Sequence, residues 1–139
     1  MSLACPCLSG ETYAQCCGRY HGGLADPPTA EALMRSRYCA FARNDAPYLL
    51  ASWHSSTRPA SVELDPTLQW RRLDIVTVSR GGFADNHGTV EFKAHYRQHG
   101  RSGVLAELSR FVREDGRWVY LDGEPPAPFP STRSQLGDS

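Results

Sequence analysis

The sequence has no excess of either charge. Its 139 residues include 15 lysines and arginines and 15 aspartates and glutamates, so the formal net charge is zero. Non-specific nucleic-acid binding usually needs a basic excess, which argues against nucleic acid as a partner. No apolar run approaches the ~20 residues that span a bilayer, and no basic and apolar leader precedes the first cysteine. We therefore expect a cytoplasmic protein that does not enter a membrane.

Familiar catalytic signatures are also missing. The sequence contains no nucleophile elbow, phosphate-binding loop, dinucleotide fingerprint or paired catalytic carboxylates. Histidines and carboxylates do not recur at the spacing of a catalytic metal site. These absences favour a protein that is not an enzyme, although they leave enzymatic activity open.

Cysteine, in contrast, is concentrated at the N-terminus. Four of the five cysteines form the pattern C-x-C-x8-C-C, at Cys5, Cys7, Cys16 and Cys17. Adjacent cysteines rarely bridge each other, and the C-x-x-C redox motif is absent. Four thiolates would fill the tetrahedral shell of a structural zinc ion. We favour one zinc ion, with disulfides, redox chemistry and an iron–sulfur centre as the alternatives.

The residues around these cysteines carry a resemblance. The segment 5–18, CPCLSGETYAQCCG, resembles the zinc-binding SEC-C motif of bacterial proteins. This resemblance implies that Cys5, Cys7, Cys16 and Cys17 are the zinc ligands. The fifth cysteine, Cys39, is expected to be a buried, inert thiol.

Helical signals follow the cysteine-rich segment. Thr29 is a typical N-cap, and apolar residues recur at helical spacing through about residue 43. Asp45 and Pro47 predict a second, short helix that ends near residue 52. We divide the chain into a zinc knuckle (1–25), an α+β domain (26–124) and a flexible proline-rich tail (125–139).

Four strand signals occupy the rest of the domain. They lie at about 73–78, 89–96, 104–113 and 117–122, and Asp115-Gly116 predicts a tight turn before the last strand. We expect a turn around residues 65–70, before the first strand. Helices followed by consecutive strands indicate an α+β fold in which helices cover a curved antiparallel sheet.

This order resembles the cone-shaped nuclear-transport-factor-2-like fold. The knuckle, the segments 35–41 and 53–59, Trp70 before a strand and the closing hairpin at 116–122 together resemble the bacterial YchJ family. Sheets of this class commonly enclose a cavity, which implies a possible small-molecule site. The candidate pocket residues are Tyr38, Trp53, His54, Thr57, Arg58, Trp70, Glu91 and Glu107.

Three functions compete at this point. We favour a non-enzymatic zinc-binding protein that docks a partner protein through the knuckle or binds a small ligand in the cone. The second hypothesis is an enzyme with His54 as base and Arg58 as anion anchor, although segment 54–59 is also typical of a hydrogen-bonded loop. The third is nucleic-acid binding through the knuckle. We also expect the larger domain to fold independently of the knuckle.

Overall fold

The computed structural model describes residue 5 and residues 11–125. Cys7 and nearly all of the predicted tail therefore lie outside the described residues. Within this part, three helices precede a sheet of four strands. The elements are α1 (Cys17–His21), α2 (Ala30–Ala42), α3 (Ala46–Ala51), β1 (Leu68–Arg80), β2 (His87–Gln98), β3 (Arg101–Glu114) and β4 (Arg117–Glu124). No described helix has the length and apolar character needed to cross a bilayer.

The two predicted helix starts are confirmed. The Thr29 side chain accepts a hydrogen bond from the backbone N–H of Ala32 at 3.1 Å, and so caps α2. Asp45 caps α3 in the same way by accepting from the backbone N–H of Tyr48, with Pro47 in the first turn. These side chains replace hydrogen bonds that the first turn of a helix cannot make internally.

The sheet is an antiparallel meander with the order β1-β2-β3-β4. His99-Gly100 and Asp115-Gly116 have positive φ at both residues, which matches the right-handed twist of a tight hairpin. Register shifts interrupt the pairing of β1 with β2 twice and the pairing of β3 with β4 once. Such bulges bend strands, and they allow the sheet to curve over the helices.

Strand β1 is longer than its sequence signal. We predicted a turn near residues 65–70 and a strand from Leu73, but β1 begins at Leu68 and pairs with β2 from Leu68↔Gln98 to Arg80↔Gly88. Most residues of β1 are exposed. Backbone pairing therefore extends the strand beyond its apolar residues, which hydrophobic patterning cannot show.

The core lies between α2 and the inner face of the sheet. Val90, Phe92 and Ala94 alternate inward along β2 and are buried. They pack in one cluster with Leu33 and Phe111, and this cluster extends to the N-terminal cysteines. The α2 helix is thus covered on two sides, by the sheet and by the N-terminal segment.

Candidate functional site

Three cysteines meet at the start of the chain. The Sγ atoms of Cys5, Cys16 and Cys17 all lie within 4.8 Å of one another. A tetrahedral zinc ion with bonds of about 2.3 Å would hold its sulfurs about 3.8 Å apart. This donor set therefore fits a thiolate-binding metal ion. Cys7, the fourth predicted ligand, lies outside the described residues.

Backbone hydrogen bonds fold the segment around these thiols. The N–H of Cys5 donates to the carbonyl of Glu11 at 2.9 Å, and this bond folds the chain so that Cys5 lies near Cys16 and Cys17. The N–H groups of Cys16 and Gly18 both donate to the carbonyl of Tyr13, at 3.1 and 2.7 Å. A Cβ at Gly18 would lie 2.6 Å from that carbonyl oxygen, so glycine permits the close approach.

Cys39 joins this group, although its sequence position did not suggest it. As expected, it is fully buried in α2. Its Sγ atom lies 3.3 Å from the Sγ of Cys5, at hydrogen-bonding distance for sulfur. The two residues are 34 positions apart, and their contact arises only when the N-terminal segment packs on α2.

The N-terminal segment shares a buried core with the larger domain, so the core is not separate from the knuckle, while independent folding of the domain stays a prediction. Cys5 and Cys17 belong to the same buried cluster as Leu33 of α2. His21 connects the two parts further, because Nε2 lies 2.7 Å from the carbonyl oxygen of Ser36 and Nδ1 lies 2.6 Å from the hydroxyl of Tyr13. Loss of the segment would therefore uncover one side of α2.

A second feature is a cavity of about 260 Å³ between α2 and the inner face of the sheet. Its lining is mostly aromatic and aliphatic, with one cation and one carboxylate. The lining residues are Met34, Arg37, Tyr38, Phe41, Trp53, Trp70, Phe92, Ala94, Leu105, Glu107, Ser109 and Tyr120. Ligand sites for drug-sized molecules measure about 300–1,000 Å³, so this cavity suits a smaller ligand.

Arg37 is the buried cation of the cavity. Its guanidinium packs on two rings, with Cζ 5.0 Å from the ring centre of Trp53 and 4.6 Å from that of Tyr120. Nη1 donates to the carbonyl of Leu49 at 2.8 Å and to the hydroxyl of Ser52 at 2.7 Å. Burial lowers the pKa of Arg37 to about 10, so the side chain remains charged at neutral pH.

Glu107 supplies the carboxylate, at the other end of Tyr120. Its Oε2 accepts hydrogen bonds from the Tyr120 hydroxyl at 3.0 Å and from the Ser109 hydroxyl at 2.6 Å. Burial, followed by the charge of Glu107, raises the pKa of Tyr120 well above its ordinary value. The phenol therefore stays protonated and continues to donate. A Cβ at Gly123 would collide with this carboxylate, so glycine makes room for it.

The structure places four predicted pocket residues on the cavity: Tyr38, Trp53, Trp70 and Glu107. The other four, His54, Thr57, Arg58 and Glu91, are not among its lining residues. Arg37, Ser109 and Tyr120 line it although the sequence did not single them out for a site. The sequence feature that could have identified this cavity is Arg37, because it is a charged residue on the apolar stripe of α2.

The segment with His54 forms a hydrogen-bonded loop outside the cavity. His54 Nε2 lies 3.7 Å from Glu114, and Nδ1 accepts from the backbone N–H of Ser56 at 3.0 Å. The hydroxyl of Thr57 donates to the carbonyl of Leu121 at 2.6 Å, and Arg58 is exposed. The backbone N–H of His54 donates to the carbonyl of Tyr120 at 2.8 Å, which holds this segment beside β4.

Glu91 lies on the other side of the sheet from the cavity. It alternates with Val90 and Phe92, which are buried on the inner face of β2. His95 shares that outer side and lies 2.8 Å from a carboxylate oxygen of Asp74. Neither residue is positioned to contact a ligand in the cavity.

Comparison with known proteins agrees with this architecture. The family model described as "YchJ, middle NTF2-like domain" matches residues 29–123, most of the chain. The chain belongs to the YchJ family. The SEC-C motif model matches residues 1–19, which contain the cysteine cluster.

Bacterial relatives of this YchJ-family chain are similar over nearly their whole length. A UPF0225 protein of Streptomyces coelicolor is 56% identical over 120 residues, which cover 86% of this chain and 94% of the relative. A UPF0225 protein of Corynebacterium efficiens is 50% identical over 122 residues, covering 88% and 93%. The sequence similarity therefore covers most of this chain and nearly all of each relative.

Two solved structures share the fold. The solution structure of a SEC-C motif containing protein from Rhodopseudomonas palustris superposes with a TM-score of 0.77 at 32% identity, covering 88% of this chain and 98% of that chain. The crystal structure of a SEC-C motif containing protein from Psychrobacter arcticus gives 0.71 at 27% identity, covering 94% and 86%. The predicted fold class, an NTF2-like α+β domain preceded by a SEC-C motif, is thus confirmed.

Proposed function

We propose that this YchJ-family chain is a non-enzymatic protein that binds a small organic ligand in the cavity under α2. The observation that carries this proposal is the cavity of about 260 Å³, apolar over most of its lining but with Arg37 and Glu107 exposed to it. Apolar walls with a few convergent polar groups are typical of ligand sites. A protein selected for stability alone would gain by filling this space with side chains.

The N-terminal thiols have a different role in this proposal. We infer that Cys5, Cys16, Cys17 and Cys7 hold one zinc ion, in a cell compartment that keeps thiols reduced, such as the cytoplasm. Bound zinc would be saturated by thiolates and would supply structure without an open position for catalysis. Because Cys5 and Cys17 are buried against α2, the site would fasten the N-terminus to the domain. Docking of a partner protein and nucleic-acid binding remain alternatives for the exposed side of the knuckle.

The enzymatic alternative with His54 and Arg58 gains no support from the positions of these residues. They lie in a loop beside the edge strand β4 and are not among the lining residues of the cavity. His54 contacts Glu114 and Ser56, as expected of a residue that stabilises a loop. Substitution His54→Ala is therefore expected to leave ligand binding in the cavity intact.

The ligand-binding proposal is tested with indole, a neutral aromatic probe, by ¹H–¹⁵N NMR titration of the full chain. We expect the indole N–H signals of Trp53 and Trp70 to shift. Ala94→Phe should abolish the shifts, because Ala94 lines the cavity and phenylalanine would fill it. Val104→Phe is the matched control, since Val104 is exposed and outside this cavity. Shifts that persist in Ala94→Phe, or an absence of shifts at millimolar indole, would overturn the proposal.

The metal proposal needs a separate measurement. Protein purified without added metal is analysed for elements, and its reactive thiols are counted before and after chelation. One zinc per chain, with four thiols that become reactive on chelation, supports the site. Absence of metal together with two disulfides would refute it.

A further inference from the structure

The buried end of the cavity offers hydrogen-bond donors that lack acceptors. Arg37 is only 4% exposed, and its two hydrogen bonds both come from Nη1. Within residues 11–125 and residue 5, the hydrogen bonds of the guanidinium come from Nη1 alone, and Arg37 forms no ion pair with a carboxylate within 4 Å. A buried cation without an ionic partner is costly. A ligand that brings an anionic group would remove this cost.

Trp53 forms a wall of the cavity beside Arg37. Its ring packs on the guanidinium, 5.0 Å from Cζ to the ring centre. Its indole N–H is buried and has no acceptor in the described part of the chain, although buried indole N–H groups normally find a partner. Because this nitrogen is closed off from the cavity space, Arg37 supplies the donors that a ligand can reach.

Glu107, in contrast, is an acceptor that can take further hydrogen-bond donors. Both of its hydrogen bonds are accepted by Oε2, from Ser109 and Tyr120. Oε1 has no donor among the residues that the structure describes, and Glu107 is a lining residue of the cavity. An ionised carboxylate can accept about four hydrogen bonds, so Glu107 is able to receive an N–H donor from a ligand.

Tyr120 keeps these two charges apart. The guanidinium of Arg37 lies over its ring face, 4.6 Å from the centre, while Glu107 lies at its hydroxyl, 3.0 Å away. The two charged groups do not form an ion pair with each other within 4 Å. They sum to zero formal charge, so a purely anionic or purely cationic ligand would leave one net charge in a poorly solvated space. A ligand with both charges would leave none.

We propose that the cavity binds a small zwitterion with an apolar body, of which an apolar α-amino acid is the simplest form. Its carboxylate would accept from Arg37, and its ammonium group would donate to Glu107. The apolar part would lie against Tyr38, Trp70 and Phe92, which line the cavity. This inference rests on the proposed ligand-binding function and specifies the chemistry of its ligand.

The test compares L-phenylalanine with two analogues that each lack one charge. 3-Phenylpropionate lacks the ammonium group, and phenethylamine lacks the carboxylate. Calorimetric titration of the wild-type chain should give L-phenylalanine at least a tenfold lower Kd than either analogue, since hydrogen bonds to charged groups are the strong ones. Equal or tighter binding of 3-phenylpropionate would overturn the zwitterion proposal.

Substitution of Glu107 then tests which residue binds the ammonium group of the ligand. Glu107→Gln keeps the shape but removes the charge, so the preference for L-phenylalanine over 3-phenylpropionate should fall to less than threefold. Glu91→Gln on the outer side of β2 is the matched control and should retain the preference. An unchanged preference in Glu107→Gln would contradict the assignment of the ammonium group.

Arg37 is left unchanged in these tests, because its Nη1 also holds the end of α3 through Leu49 and Ser52. The wild-type ligand comparison does not depend on any variant, and so it remains decisive. If indole shifts the tryptophan signals while no zwitterion binds, the zwitterion proposal fails and the ligand-binding proposal stands. If neither indole nor any of the three compounds binds, both fail.

Discussion

Loss of the metal ligand Cys16 should destabilise the whole domain without unfolding it. Cys16 is the suitable position because it is half-buried, whereas Cys5 and Cys17 are at most 2% exposed. Cys16→Ser thus removes one thiolate from the cluster with little direct damage to the core. We expect the N-terminal segment to detach from α2 when the metal is lost.

The magnitude follows from the contacts that the segment makes. The hydrogen bond between His21 and the carbonyl of Ser36 contributes about 1 kcal/mol. The guanidinium of Arg43, 3.9 Å from the ring centre of Tyr13, adds about 0.5–1 kcal/mol. Uncovering the apolar side of α2 around Cys39 costs roughly 1.5–3 kcal/mol, the value of one medium-sized apolar side chain. The free energy of unfolding should therefore fall by about 3–5 kcal/mol.

This loss is smaller than the 5–15 kcal/mol that is typical of a folded domain. At about 3–5 °C per kcal/mol for a chain of this length, the Tm should decrease by roughly 10–20 °C. Thermal unfolding followed by circular dichroism measures it, alongside wild-type protein with and without chelator. Gln15→Ser, a neighbouring exposed position, is the control and should keep both metal and Tm. An unchanged Tm after metal loss would refute the integrated packing, and complete unfolding would show a larger contribution than these contacts provide.

Three further predictions concern single side chains. Cys39→Ala should weaken Co²⁺ binding several-fold and alter the thiolate-to-cobalt absorption band, because the Cys39 thiol lies 3.3 Å from the sulfur of Cys5. Hydrogen bonds from Ser55 lower the pKa of Glu114, so this contribution to stability is present above the unfolded-state pKa and lost as pH falls through the folded-state pKa. Ser55→Ala should raise the Glu114 pKa in an NMR titration and reduce this pH dependence at acidic pH. Phe111→Ala should lower the free energy of unfolding by about 3–5 kcal/mol in urea, because Phe111 is fully buried.

Local sequence rules predicted most of the fold. Thr29 and Asp45 cap the helices in which they were expected, and Asp115-Gly116 forms the predicted tight turn. These features depend on neighbouring residues alone, so they can be deduced from the sequence. The start of β1 could not, because exposed residues such as Gln69 and Arg72 are held in the strand by pairing with β2.

The site was harder to predict because its residues meet through tertiary packing. His54, Thr57 and Arg58 belong to a run of polar residues that suggested a functional site. The backbone pairing of Trp53 with Tyr120 holds this run beside β4, and none of the three residues lines the cavity. A sequence shows which residues could take part in chemistry. It does not show which side of an irregular segment will face the interior.

Helix α2 explains why the sequence indicated one site and concealed the other. Eight of its 13 residues are buried, and they occupy most of its circumference apart from the face with Glu31 and Arg35. A helix buried over so much of its surface has to be covered on more than one side. Cys39 contacts the N-terminal thiols, while Arg37 and Tyr38 line the cavity on the side of the sheet. The apolar periodicity of α2 predicts a single core for all of these residues. The buried guanidinium of Arg37, which needs hydrogen-bond acceptors, distinguishes the side of α2 that lines the cavity from ordinary core packing.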